Sequence, residues 1–244
     1  MYIDTLDSEG AFWFGGAGND TFKGSLYNDF MFGGAGNDTF LIESATNSNV
    51  YSGGDGTDVI HVTKLGPYQI FAAIEILSIT GIEEIRSDVT TAPTYIYMGR
   101  FLPEMSNNPT GGGENPDFLN LRDVNLVNID GIRGAGQADT IIASNGDDLI
   151  DGWTNSDTLT GADGADTFHF EQHYNQDFGN DTVTDFTDED TIQFTTDVFA
   201  DAAAVFAAAA QVGADTVITY DANNSVTLQN VALASLTADD FSFV

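Results

Sequence analysis

Apolar residues recur along this chain on a nine-residue grid, each two places after an aspartate: Asp20 with Phe22, Asp29 with Met31, and Asp38 with Phe40. After a slip of two residues, Asp58 and Ile60 continue the pattern. The grid returns as Asp139/Ile141, Asp148/Ile150, Asp157/Leu159 and Asp166/Phe168. A degenerate turn with Asp130 and Ile132 precedes this block, and Asp181/Val183 and Asp190/Ile192 follow it. Each unit reads as a turn and a short strand. Two units then make one coil of a flattened parallel helix, and turns two units apart stack in one row. By strand alternation the apolar member points inward, so Phe22, Met31, Phe40, Ile60, Ile141, Ile150, Leu159 and Phe168 form the predicted core.

The turns are as regular as the strands. Gly15 to Phe22 reads GGAGNDTF, and Gly33 to Phe40 repeats it letter for letter. Between them Gly24 to Phe32 is a glycine-poor copy, and Gly53 to Ile60 reads GGDGTDVI. From Gly134 the units run GAGQADTII, ASNGDDLID, GWTNSDTLT and GADGADTFH. These units resemble the GGXGXDXUX nonapeptides of the repeats-in-toxin (RTX) family, the hemolysin-type calcium-binding repeat. The resemblance implies an all-β fold, a right-handed parallel β-roll or β-helix, with Ca²⁺ held in the turns.

The chemistry of the turns agrees with that implication. Glycine tolerates positive φ, so a loop such as Gly15–Gly18 can curl until its carbonyls converge, and the following Asp adds a carboxylate. One loop offers too few oxygens for the six to eight that Ca²⁺ takes, so a second loop must face it. The expected ligand loops carry Gly15, Gly18 and Asp20; Gly33, Gly36 and Asp38; and Gly53, Gly56 and Asp58, with Asp29 in the degenerate copy. In the second array they carry Gly134 and Asp139; Gly146 and Asp148; Asp157; Gly161, Gly164 and Asp166; then Asp181 and Asp190. The strongest pairs are Asp20 with Asp38 and Asp148 with Asp166. The pair Asp139 and Asp157 ranks lower, because Trp153 and Asn155 replace glycines. Several Ca²⁺ ions are expected.

Charge sharpens the picture. Thirty-eight acidic residues face six basic ones, a formal charge of −32, which argues against nucleic acid or an anionic membrane surface as partner. Eighteen Phe and eight Tyr supply apolar surface for a core, so the acid must be neutralised rather than merely solvated. Cysteine is absent, which excludes disulfides and thiolate metal sites. No apolar run reaches the length of a membrane span.

The stretch from Val62 to Asp123 separates the arrays and holds Lys64, Arg86, Arg100 and Arg122. Its first half, rich in spaced Ile, predicts strands that continue the parallel helix. Its second half gathers Tyr95, Tyr97, Arg100 and Phe101 before a Pro/Asn/Gly-rich loop. Aromatics beside a cation suit a sugar, and an ordinary strand packing both tyrosines on one face explains the same letters. There is no thiol nucleophile, no phosphate loop followed by Lys, and no G-x-S-x-G elbow. On a strand His169, Glu171 and His173 would share one face, the placement a zinc site needs, against the plain reading of a polar strand face.

Past the repeats, Thr195 to Val212 is Ala-rich with helix-compatible apolar spacing and Gly213 as its stop. Two alternating runs follow as a β-hairpin, and the chain ends Asp239-Asp240-Phe241-Ser242-Phe243-Val244. This tail resembles the uncleaved secretion signal of type I exported RTX proteins, and Met1 to Gly10 shows no cleaved signal. Four segments are expected: 1–61, first array; 62–124, strand-rich insert; 125–194, second array; 195–244, helix and hairpin cap with secretion signal. The reading is a Ca²⁺-binding protein, secreted or on the surface of a Gram-negative cell, using the type I secretion apparatus and folding outside. Binding is preferred to catalysis, with an extracellular polysaccharide as further partner. Two alternatives stay open: a polysaccharide-modifying enzyme with its site in the insert, or the folding domain of a larger toxin or protease.

Overall fold

Runs of three to nine residues, most of them alternating inward apolar and outward polar side chains and cut short by turns, pair as parallel strands. The computed structural model describes residues 2–4, 10, 12–24, 28–43, 49–64, 71–98, 117–172 and 176–244. It is all-β with one short α-helix, the parallel roll that the repeats predict. Two units are distinguished, one from Met1–Met105 with Asp123–Gly131, the other from Ser106–Arg122 with Ile132–Val244.

In the first unit, β1 (Tyr2–Asp4), β3 (Thr21–Lys23), β5 (Thr39–Ile42), β7 (Val59–Val62), β9 (Glu84–Ser87) and β12 (Asn125–Val127) lie in this order in one sheet. The facing set is β2 (Phe12–Ala17), β4 (Phe30–Ala35), β6 (Asn49–Asp55), β8 (Ala72–Thr80) and β10 (Thr94–Met98). Equivalent residues stack coil on coil: Phe22 pairs with Phe40, Phe40 with Ile60 and Ile60 with Ile85, all buried. The Phe22 and Phe40 rings stack at 5.0 Å. Strands β8, β9 and β10 fall within 62–124 and continue the parallel pairing.

In the second unit, β11 (Phe118–Asn120), β14 (Thr140–Ile142), β16 (Thr158–Thr160), β18 (Asn180–Val183) and β22 (Ser225–Leu228) are parallel neighbours. The facing set is β13 (Gly131–Arg133), β15 (Leu149–Asp151), β17 (Thr167–Phe170), β19 (Thr191–Phe194) and β23 (Phe241–Phe243). Ile141, Leu159, Val183 and Leu228 form one buried column, and Ile150, Phe168, Ile192 and Phe241 form the other.

The tail differs in detail from its prediction. Helix α1 covers only Ala202–Ala208, capped by the Asp201 carboxylate, which accepts from the Ala204 N–H at 2.9 Å. Ala209–Val212 is a strand, β20, antiparallel to β21 (Asp215–Thr219). Alanine's helix propensity is a fraction of a kcal/mol per residue, and pairing with Val217 and Ile218 outweighs it. Gly213, at φ 66°, turns the chain between these strands instead of ending a helix. The hairpin is also more than a cap: β22 pairs antiparallel with β21 and parallel with β18, so it is part of the roll. No helix among the described residues is long and apolar enough to cross a membrane.

Candidate metal centre

The turns that lead from one sheet to the other carry the repeated glycines, and their stacking explains why glycine stands there. In the first unit the loops 15–20, 33–38 and 53–58 lie in one row, with Gly16 in register with Gly34 and Gly34 with Gly54. Gly36 has φ 125°, and a Cβ on it would collide with the Gly18 carbonyl of the loop beside it. Gly33 meets a different limit: a Cβ there would strike the Asp38 carboxylate and come within 2.6 Å of the Gly53 carbonyl oxygen. Carboxylate and carbonyl oxygens thus crowd the space that the missing side chain leaves. The same crowding occurs at Gly15 with Asp20 and the Gly33 carbonyl, and at Gly161 with Asp166.

Each repeat aspartate holds the preceding loop. Asp38 Oδ1 accepts from the Asp20 N–H at 2.7 Å, Asp58 Oδ1 from the Asp38 N–H at 2.7 Å, and Glu83 Oε2 from the Asp58 N–H at 2.6 Å. In the second unit Asp139 accepts from Asp117, Asp157 from Asp139, and Asp181 from Asp157, at 3.0, 2.7 and 2.8 Å. The return turns make a second row, in which Asp166 accepts from Asp148 and Asp190 from Asp166, both at 2.9 Å. One carboxylate oxygen per repeat is therefore structural.

The other oxygen separates the repeats into two kinds. Oδ2 of Asp38, Asp58, Asp157 and Asp166 is buried with no hydrogen-bond partner among the described residues. Oδ2 of Asp139 accepts from the Ala135 N–H at 2.9 Å, and that of Asp148 from the Ser144 N–H and hydroxyl at 2.9 and 2.7 Å. Buried carboxylate oxygens without a donor cost several kcal/mol when charged. Burial, reinforced by Asp181, Asp139 and Asp151, pushes the Asp157 carboxyl up to about 10. Burial with Asp148, Asp190 and Asp185 nearby pushes Asp166 up to about 7. Burial also raises Asp58, Asp139, Asp148 and, well above the usual range, Asp181. Such a ladder needs either protons or cations, and its donors, all carboxylate and carbonyl oxygen, are those a hard ion such as Ca²⁺ takes.

Residues 14–41 and 133–168 match the profile of the RTX calcium-binding nonapeptide repeat, in four copies. The loops within those two stretches match that repeat. No curated protein sequence matches the chain. Among solved structures, the extracellular lipase LipA from Serratia marcescens is similar, with 22% identity and a TM-score of 0.45 over 99% of this chain and 41% of the lipase chain. The chain thus spans less than half the length of that lipase.

The predicted loop residues other than Asp29 fall in these rows. Gly15, Gly18 and Asp20 stack on Gly33, Gly36 and Asp38, and these on Gly53, Gly56 and Asp58, so the slipped register leaves the row unbroken. Asp29 lies on a return turn and donates its N–H to Asn49 Oδ1 at 2.8 Å. Gly134, Asp139, Asp157 and Asp181 share one row of the second unit; Gly146, Asp148, Gly161, Gly164, Asp166 and Asp190 share the other. Trp153 and Asn155 both adopt φ 77° without being glycine, the left-handed backbone that Ala162 and Gly164 take in the loop ending at Asp166. Glu83 and Asn49, which end the rows of the first unit, escaped the sequence reading because neither sits on the nine-residue grid.

The aromatic ligand contacts fare differently. Tyr97 is buried, with its ring centroid 6.2 Å from Tyr95 and 6.0 Å from Phe71, so it offers no face to a sugar. Tyr95 is half-buried in the same cluster. Arg100 and Phe101 lie outside the described residues, as does His173.

Proposed function

We propose that this chain is a secreted Ca²⁺-binding RTX protein that folds when several ions enter its stacked loops. The observation that carries this reading is that buried carboxylate oxygens on Asp38, Asp58, Asp157 and Asp166 have no donor among the described residues. In the first unit the ligand loops are those of Gly15, Gly18 and Asp20, of Gly33, Gly36 and Asp38, and of Gly53, Gly56 and Asp58. In the second they are those ending at Asp139, Asp148, Asp157, Asp166, Asp181 and Asp190, and Asp29 with Asn49 is a weaker position. When bound, the ions supply the positive charge that the chain lacks. The protein's own part is to hold each loop against the next through Oδ1 while Oδ2 and the backbone carbonyls face the ion.

A dissociation constant of ~10⁻⁴ M is typical of extracellular modules. At roughly 1 mM free Ca²⁺ each such site stabilises the fold by about 1.4 kcal/mol. Several sites together rival the 5–15 kcal/mol that holds typical domains together, roughly speaking. In cytosolic Ca²⁺ the contribution nearly vanishes, which suits a chain exported unfolded by the type I apparatus and folded outside a Gram-negative cell. Circular dichroism during a Ca²⁺ titration tests this: a cooperative gain of β signal between roughly 0.1 and 1 mM, reversed by EGTA, is expected. A β signal indifferent to both Ca²⁺ and EGTA refutes it.

A further inference from the structure

Away from the loops, the outer face of the second unit carries a row of polar side chains on successive strands. Arg133 on β13 is in register with Asp151 on β15, Asp151 with His169 on β17, and His169 with Gln193 on β19. Glu171 follows two residues after His169. One ligand atom each from Asp151, His169 and Glu171 lies within 4.8 Å of the other two.

The imidazole is held in one orientation. His169 Nδ1 lies 3.0 Å from Gln193 Oε1, while Gln193 Nε2 donates to Ser242 Oγ at 3.2 Å. With the amide so placed, Nδ1 carries the proton and donates it. The Nε2 lone pair of a neutral His169 is then directed to the carboxylate side, 3.6 Å from Glu171 Oε2. A lone pair facing a carboxylate is unfavourable unless a proton or a metal ion lies between them. An N–H held by a neighbour, with the other ring nitrogen turned to an anionic pair, is the arrangement found around metal-ligating histidines. Asp151 is also fixed: its side chain is 4% exposed, its Oδ1 accepts from the Trp153 N–H at 2.9 Å, and its Oδ2 is 3.8 Å from Arg133 Nε.

We propose that Asp151, His169 and Glu171 form a second kind of metal site, one for a first-row transition ion such as Zn²⁺ and separate from the Ca²⁺ loops. One imidazole and two carboxylates suit such an ion, leaving a coordination position open to water. Ligand atoms around tetrahedral zinc lie about 3.4 Å apart. Glu171, whose side chain is 37% exposed, has the freedom to close the remaining gap. The Gln193–Ser242 pair acts as the positioning shell.

Co²⁺ titration of the full chain in saturating Ca²⁺ tests the site, since Ca²⁺ keeps the loops filled and the fold formed. The expected result is one equivalent of Co²⁺ with the visible absorption of a four-coordinate ion, displaced by Zn²⁺. His169→Ala should abolish the band, and Glu171→Gln and Gln193→Leu should each weaken binding by roughly tenfold or more. Circular dichroism checks that each variant is folded, and if His169→Ala is not, the half-exposed Glu171→Gln decides. Absence of the band at millimolar Co²⁺ in the folded wild type, or its survival in folded His169→Ala, overturns the proposal.

Discussion

Replacing Asp166 by Asn should change the sign of its effect on stability according to whether Ca²⁺ is present. The substitution keeps an Oδ1 acceptor for the Asp148 N–H, so the loop-to-loop hydrogen bond at 2.9 Å survives. What disappears is the charge on Oδ2, which is buried and has no donor among the described residues. Without ions, burial first and the neighbouring carboxylates second raise this carboxyl from 3.8 to about 7. At 1.36 kcal/mol per pKa unit, ionising it in the ion-free fold above pH 7 costs about 4 kcal/mol at most, and roughly half that if water reaches the loop. In EGTA at pH 8 the variant should therefore be more stable than wild type by about 2 kcal/mol. In 1 mM Ca²⁺ it should be less stable by about 1.4 kcal/mol or more, because a charged ligand is gone. Urea titrations in Ca²⁺ and osmolyte-driven refolding in EGTA, both followed by circular dichroism, measure the two arms. Equal destabilisation in both conditions would refute the reasoning, since Asp166 would then act through packing alone.

Three further outcomes follow from the loops. Ala162→Gly, at φ 75°, should stabilise the Ca²⁺-loaded protein by up to about 1 kcal/mol in urea unfolding, because an L-residue in that region is strained. Gly33→Ala should raise the Ca²⁺ midpoint and cost about 2 kcal/mol or more, since its Cβ would displace the Asp38 carboxylate and the Gly53 carbonyl. A carboxyl whose folded pKa is raised stabilises the fold below its unfolded value and loses that contribution as pH rises through the folded one. With Asp166 at about 7 and Asp157 at about 10, the ion-free chain should gain β signal in EGTA as pH falls from 8 towards 4, while Ca²⁺ affinity weakens over the same range.

The nine-residue spacing of Asp and apolar residues was enough to read both the buried columns and the loop rows, because a period of this kind has one geometric meaning when strands pair in parallel. Phe22 over Phe40 over Ile60 is its direct product. What spacing could not reveal depends on three-dimensional neighbours. The Oδ1 bonds from one loop to the next join residues 18 to 24 positions apart, and the carboxylates divide into those with a donor on both oxygens and those with one lacking a donor among the described residues. Trp153 and Asn155 take left-handed backbone that composition alone would not assign to them. The alanine run after Thr195 signals helix by propensity, yet its last four residues, Ala209–Val212, become strand with Val217 and Ile218 beside them. Asp151 comes next to His169 only through strand register, which is why a sequence search finds Glu171 and His173 first.

The account's central claim is that stacked glycine loops hold divalent ions between facing oxygens. Anomalous diffraction from crystals grown in Ca²⁺ and exchanged with Tb³⁺ tests it most directly. Peaks are expected beside Asp38 and Asp58 in the first unit and beside Asp157 and Asp166 in the second. Well-ordered loops with no peak at these carboxylates would contradict it.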